Sequence, residues 1–277
     1  MKFYIETYGC QMNIADSELV SSILMDAGHQ LVSNIDEAEL IIFNTCSVRE
    51  HAENRVLGRI ATEKYRKTIN PELKIAVIGC MAQRMGKRLI ENYGIDYIVG
   101  VDKYLELPEL IQQEKGVKTE TDNLQTYTGI MPLHQSQTCA YVTIMRGCNN
   151  FCSYCIVPYV RGRERSLPAE LIFEEVKRCG EMGLKDITLL GQNVNSYSYQ
   201  DINFPKLLRQ LNDIDSIYRI RFITSHPKDL TDELIEVMAE SSKICEHIHL
   251  PLQSGDNDIL AAMNRHYTIE HYLNIVD

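Results

Sequence analysis

The chain has 277 residues, 44% of them hydrophobic, enough to bury a sizeable core and to fill one large or two ordinary domains. A formal net charge of -10 excludes a protein that holds nucleic acid through its overall field, because phosphate contacts need clustered Lys and Arg. No apolar run reaches the roughly 18 residues of a membrane span, and the start, MKFYIETYGC, has neither the basic nor the apolar region of a signal peptide, so a cytoplasmic protein without a membrane partner is expected.

Residues 1–115 alternate strand-like and helix-like stretches, with apolar runs at Phe3 to Ile5, Leu40 to Phe43, Ile75 to Ile78 and Tyr97 to Val99. Between them Leu19, Ile23 and Ala27 make a helical stripe with Asp16 as N-cap and Gly28 as the stop, and Val56 and Ile60 make another, ending before Pro71. Repeated strand, helix, strand units predict a flavodoxin-like parallel α/β domain. Cys10, Cys46 and Cys80 each fall just after one of the first three strands, in ETYGC, FNTC and VIGC. In an open parallel sheet such positions gather at one edge, so three thiols distant in sequence can converge there. A strand-end cysteine can equally be a small buried hydrophobe, and spacing alone leaves that open.

From Gly116 to Thr138 periodicity fades and Thr, Gln, Asn and Asp dominate, which marks 116–138 as an interdomain connection. Tyr127, Ile130, Met131 and Leu133 are too apolar for a solvated tether, so this stretch should pack against its neighbours.

A second α/β series occupies 139–277, with strands near Tyr141 to Met145, Ile187 to Leu190, Ile220 to Thr224 and His247 to Leu250. Helices separate them, one from Ala169 with a buried stripe through Ile172, Val176, Cys179 and Met182, others over Leu230 to Met238 and from Thr268. This order predicts a parallel β/α barrel, complete or partial, with its site over the carboxyl ends of the strands. Gly191, Gln192 and Asn193, then Ser225 and His226, then Gln253 and Ser254 would line that mouth, though turn and cap chemistry explains such residues as well. His247 and His249 have no acidic partner at ligand spacing and read as structural polar residues.

The densest signal is YVTIMRGCNNFCSYCIVPYVRGRERS, Tyr141 to Ser166, where Cys148, Cys152 and Cys155 have the spacing C-x3-C-x2-C. With nine cysteines as background, chance produces that spacing in roughly 1% of such chains. A zinc site would want a fourth ligand nearby, and the nearest candidates, His134 and Cys139, precede the strand. Three thiolates on a four-iron cube leave one iron free for another ligand. Arg146, Arg161, Arg163 and Arg165 bracket the cysteines against the single acid Glu164, so a polyanion could be steered to this site.

The cysteine motif with Tyr154 inside it resembles the radical S-adenosylmethionine (SAM) signature. Together with the strand-end trio and the segments LLGQNVNSY, FITSHPKDL and HIHLPLQSG, the whole chain resembles the radical SAM methylthiotransferase family, in its tRNA branch. The resemblance implies two 4Fe-4S clusters, one on Cys148, Cys152 and Cys155 that binds SAM and an auxiliary one on Cys10, Cys46 and Cys80. Tyr154, Gln192 and Gln253 would neighbour SAM, and the two open irons would face one chamber. SAM would serve as radical source and methyl donor in adding a methylthio group to C2 of N6-dimethylallyladenosine next to the tRNA anticodon. Partners so implied are that tRNA and a reductant such as flavodoxin, with the enzyme a monomer. Sister enzymes acting on threonylcarbamoyl-adenosine tRNA or a ribosomal protein aspartate stay open, as does a non-catalytic iron-sulfur or electron-carrier module. Family members continue through a six-strand barrel to a TRAM domain; here four barrel strands are visible, so a truncated chain with weak tRNA affinity is expected.

Overall fold

The computed structural model describes residues 1–47, 50–121 and 125–277. They form two compact units, the first made of Met1–Leu133 with Tyr159–Gly162, the second of His134–Pro158 with Arg163–Asp277.

The first unit runs β1 (Lys2–Tyr8), α1 (Gln11–Asp26), β2 (Gln30–Leu31), β3 (Leu40–Thr45), α2 (Glu50–Ile69), β4 (Lys74–Gly79), α3 (Cys80–Met85), α4 (Lys87–Tyr93), β5 (Tyr97–Val99), α5 (Leu107–Leu110) and β6 (Gly116–Lys118). The six strands form one parallel sheet in the order β2-β1-β3-β4-β5-β6, the flavodoxin-like arrangement extended by one edge strand. Helices on both faces explain why β3, LIIFNT, is buried at every position and reads as a continuous apolar run instead of an alternating one. Each fully buried Leu, Ile or Phe there contributes roughly 1.5–3 kcal/mol by leaving water.

The first helix begins earlier than its apolar stripe suggests. Cys10 occupies the N-cap and Gly28, at φ +85°, follows the C-cap. Asp16 therefore sits inside α1, fully buried, and is held by a charge partner instead of capping anything. The stretch 116–138 opens as strand β6 and includes residues 122–124, which lie outside the described residues. Its Tyr127 is buried against Tyr104, the rings 5.5 Å apart, and donates to Val101 O at 2.6 Å, while Leu133 N donates to Glu18 O at 3.2 Å.

The second series runs β7 (Cys139–Thr143), β8 (Met145–Arg146), α6 (Val157–Arg161), β9 (Arg165–Ser166), α7 (Ala169–Glu181), β10 (Asp186–Leu190), β11 (Ser198–Tyr199), β12 (Ile202–Asn203), α8 (Phe204–Asn212), β13 (Arg219–Phe222), α9 (Asp232–Glu240), α10 (Asn257–Ala262) and α11 (Ile269–Val276). β7, β10 and β13 are parallel neighbours, the first strands of a β/α barrel wall. The fourth strand expected at His247 to Leu250 is replaced by a single parallel bridge, Ile220 to Ile244, and His247 and His249 are exposed. α7 buries Ile172, Val176 and Cys179 as the helical period requires, whereas Met182 caps the helix and is exposed.

Candidate functional site

The first cysteine trio is assembled by sheet register. Thr45 of β3 pairs with Tyr8 of β1 on one side and Gly79 of β4 on the other, so Cys10, Cys46 and Cys80 follow within two residues of one row at the carboxyl edge. Two glycines make the close approach possible. A Cβ on Gly9 (φ +154°) would lie 2.8 Å from Cys46 Cβ, and one on Gly79 (φ +90°) would lie 2.6 Å from Thr45 O. Buried amides lock the turns: Asn13 Nδ2 donates to Asn44 Oδ1 at 3.0 Å and Thr45 O at 3.2 Å, and Asn44 Nδ2 donates to Asn13 O at 2.8 Å.

Against these thiols lies Arg161, 4% exposed, whose Nη2 donates to Asp16 Oδ2 at 2.8 Å. Burial opposes its charge, but Asp16 and the neighbouring Cys80, Tyr104 and Cys10 more than offset that and hold the guanidinium protonated. Burial likewise pushes the Cys80 thiol up to about 11, the nearby Arg161 pulling the other way. A positive group beside three thiols suits the binding of an anionic thiolate cluster.

The second trio is local. Gly147 (φ +74°) turns the chain out of β8, Cys155 N donates to Cys152 O at 2.9 Å, and Asn150 N donates to Cys148 Sγ at 3.5 Å. Burial raises the Cys148 thiol to about 11, with Cys155 and Cys152 adding to it, and raises Cys155 as well, with Cys152 adding to it. Arg265 is 4% exposed and donates from Nη1 to Cys152 Sγ and to Tyr154 Oη, both at 3.3 Å. Its guanidinium also lies 5.3 Å from the Tyr267 ring centroid, and Tyr267 donates to Leu252 O, which ties the cysteine loop to the segment before Gln253. Phe151, Thr224 and Gln253 all have φ between 46° and 73°, strained backbone of the kind found at ligand-holding turns.

Of the other expected site residues, Tyr154 and Gln253 are exposed and Gln192 is half-buried, each in a loop of the second unit. Gly191 fits only because it has no side chain, since a Cβ there would stand 2.5 Å from Met145 Cγ. Of the four arginines bracketing the cysteines, Arg146 and Arg161 are buried, and Arg163 is exposed with its guanidinium 4.2 Å from the Phe151 ring centroid. Burial raises the carboxyl of Glu164, whose hydrogen bond with Ser196 acts in the opposite direction. Sequence reading missed Asn13, Asn44 and Arg265, which no local motif distinguishes from ordinary polar residues.

Among the described residues no three His, Cys, Asp or Glu side chains close around a single metal ion. A cube differs from an ion in this respect, since each cysteine binds its own iron. Each trio also has the all-thiol donor set that such clusters take, with no carboxylate among the donors.

Residues 142–277 match the Radical SAM superfamily, and residues 2–100 match the family described as Uncharacterized protein family UPF0004. The chain is 47% identical to the tRNA-2-methylthio-N(6)-dimethylallyladenosine synthase of Phocaeicola vulgatus, over 99% of this chain and 63% of that one. It is 49% identical to the enzyme of the same name from Thermoanaerobacter sp., over 99% and 61%. It thus spans less than two thirds of the length of these curated relatives. Among solved structures it is similar in fold to the radical S-adenosylmethionine methyltransferase TsrM of Kitasatospora setae, with TM-score 0.71 at 14% identity, over 99% of this chain and 64% of that one.

Proposed function

We propose, taking as premise that this chain belongs to the radical SAM methylthiotransferase family, that it acts as a tRNA methylthiotransferase on C2 of N6-dimethylallyladenosine next to the anticodon. The observation that supports this most directly is the pair of cysteine trios, one gathered by sheet register in the UPF0004 domain and one in the radical SAM loop. In this reading Cys148, Cys152 and Cys155 hold the cluster that binds SAM, and Cys10, Cys46 and Cys80 hold the auxiliary cluster. Bound there, the clusters and SAM supply one-electron cleavage, the sulfur and the methyl group.

The chain's own residues set the conditions. Arg265 donates to Cys152 and fixes Tyr154, so both the thiolate and the aromatic side chain are oriented before any ligand arrives. Asp16 fixes the charged Arg161 beside Cys80 and Cys10, where the guanidinium favours the thiolate form that a cluster needs. Buried thiols must lose their protons on cluster binding, so loading releases acid and weakens as pH falls. The same reading gives tRNA and a flavodoxin-like reductant as partners, a monomeric cytoplasmic enzyme, and Gln192 and Gln253 as neighbours of SAM. No helix among the described residues is long and apolar enough to cross a membrane.

The test is anaerobic reconstitution with iron, sulfide, dithionite and SAM, offering isopentenylated anticodon stem-loop RNA beside the threonylcarbamoyl RNA and the ribosomal protein. Alanine at Cys148, Cys152 or Cys155 should abolish deoxyadenosine formation. Alanine at Cys10, Cys46 or Cys80 should spare it while ending sulfur insertion. Equal loss of both steps from either trio refutes the assignment, and no deoxyadenosine from the unsubstituted chain favours an electron-carrier module.

A further inference from the structure

The loops that follow β10 and β13 are matched position by position. Leu189 pairs with Phe222, so Gln192 and Ser225 lie three residues beyond that pair, and Asn193 and His226 lie four beyond it. The loops are clamped together. Asn195 Nδ2 donates to His226 O at 2.9 Å, His226 N donates to Asn195 Oδ1 at 2.9 Å, and Val194 N donates to Thr224 O at 3.0 Å. The clamp holds Thr224 at φ 73°, a conformation that β-branched residues avoid.

Within this rigid pair of loops four buried polar atoms have no hydrogen-bond partner among the described residues: Gln192 Oε1, Asn193 Oδ1, Ser225 Oγ and His226 Nε2. Asn193, Ser225 and His226 are 2%, 5% and 4% exposed. Native proteins leave few such atoms without a partner, and these four stand at matched positions of two clamped loops, where a bound polar group can satisfy them.

The chemistry of that ligand follows from what each residue has left. Asn193 gives its amide nitrogen to Asp229 Oδ2 at 2.7 Å, so its carbonyl remains as an acceptor. His226 Nδ1 accepts from Lys228 N at 3.3 Å, so the neutral ring carries its proton on Nε2 and presents a donor. Burial, with Arg265, Lys228 and His266 nearby and Asp229 opposing them, holds the ring neutral, its pKa near 3. The Tyr267 ring packs edge-on against it, the centroids 5.6 Å apart. The charged groups around it are engaged, Lys228 Nζ with Asp229 Oδ1 at 2.7 Å and Arg265 with Cys152 and Tyr154. What remains is one donor, one hydroxyl and two carbonyl acceptors, a set that matches a neutral ligand edge and not an anion.

We infer that Gln192, Asn193, Ser225 and His226 recognise the edge of an adenine-type heterocycle, with His226 Nε2–H donating to a ring nitrogen and the amide carbonyls accepting from the exocyclic N–H. This rests on the function proposed above, in which two reactants carry that edge, SAM and the tRNA adenosine. His226 binds and positions; no bond is made or broken on it.

The experiment uses the reconstituted chain and deaza analogues, in which one ring nitrogen is replaced by C–H. One arm measures binding of SAM and its 1-, 3- and 7-deazaadenine analogues by equilibrium dialysis. The other measures isopentenylated anticodon stem-loop RNA carrying the same replacements. In one arm, removing one particular nitrogen should weaken binding by about tenfold, the scale of one buried hydrogen bond. His226→Leu should weaken the natural ligand by a similar factor and abolish discrimination against the deaza analogue, while His226→Gln, which keeps an N–H near Nε2, should restore it. The responding arm identifies the reactant. Equal tolerance of every analogue in both arms, with binding intact, overturns this inference alone, as does an undiminished deaza penalty in His226→Leu. Binding of neither SAM nor RNA by the unsubstituted chain overturns the proposed function and this inference with it.

Discussion

The two cysteine trios reach similar ends by opposite routes. Cys148, Cys152 and Cys155 are local, placed by one loop whose turns are set by Gly147 and short backbone hydrogen bonds. Cys10, Cys46 and Cys80 are distributed, and their proximity depends on the register of β1, β3 and β4. A distributed site is therefore as fragile as the fold around it, whereas a local one depends mainly on its own loop. Perturbations of the first unit's core should separate the two.

The largest effect is expected at Asp16. It is fully buried and paired with Arg161 at 2.8 Å, and Tyr104 Oη donates to the same carboxylate oxygen at 3.3 Å. Removing one partner of a buried ion pair strands the other charge and costs about 3–5 kcal/mol. Asp16→Ala should lower stability by that amount in urea unfolding and halve the iron bound per chain. Cluster signals assigned to the Cys148 loop by electron spin resonance should persist. Loss of both signals together breaks the contrast between local and distributed trios.

A narrower test uses glycine. Gly79 adopts φ +90° and ψ -158° immediately before Cys80, and a Cβ there meets the Thr45 carbonyl at 2.6 Å. Gly79→Ala should cost about 1–3 kcal/mol in strain and displace Cys80, with loss of the auxiliary iron. Gly183, at φ +89° with nothing within 4 Å of its Cβ position, is the control. Gly183→Ala should cost roughly 1–2 kcal/mol by backbone strain alone and leave iron content unchanged.

How far the sequence revealed the site follows the same division. The Cys148 motif is readable because its ligands and turn lie within a few residues. The strand-end trio is readable only through the inference that ETYGC, FNTC and VIGC end parallel strands, and the sheet order bears that placement out. Asp16 looked like an N-cap because Asp before an apolar stripe ordinarily is one; α1 starts at Gln11 instead, and burial beside Arg161, 145 positions away, is a tertiary fact with no local trace. The strand expected at His247 to Leu250 failed for a related reason. Alternation alone does not make a strand, because a strand also needs a hydrogen-bonded ladder, and next to β13 the structure has only a single bridge, at Ile244.

Acid should act on the second unit through His226. The folded pKa near 3 lies below the ordinary 6.5, so between those values the unfolded chain binds more protons. Stability from the neutral ring is complete above about pH 6.5 and is lost progressively as pH falls toward 3. By pH 5 the loss should reach up to about 2 kcal/mol. The stability difference between the unsubstituted chain and His226→Gln, followed by urea unfolding from about pH 7.5 to 5, isolates this contribution, since other titrating groups are common to both. A constant difference removes His226 as the source of acid sensitivity.

The smallest effect is expected at His247 and His249, and it bears on whether the local trio is complete. Both are exposed, and substitution at such positions ordinarily changes stability by less than about 0.5 kcal/mol. Burial acts first on both thiols; besides it, backbone Asn150, Glu164, Cys155 and Cys152 act on Cys148, and backbone Val157, Cys152 and Arg265 on Cys155, with neither histidine among them. His247→Ala and His249→Ala should therefore leave iron content, visible absorption and SAM binding unchanged. A fourth protein ligand would fill the iron that the proposed function leaves open for SAM, so loss of iron in either variant, read by metal analysis, would turn the local trio into a closed electron-transfer centre. Unchanged iron with intact SAM binding keeps the corner of the cube free for substrate chemistry.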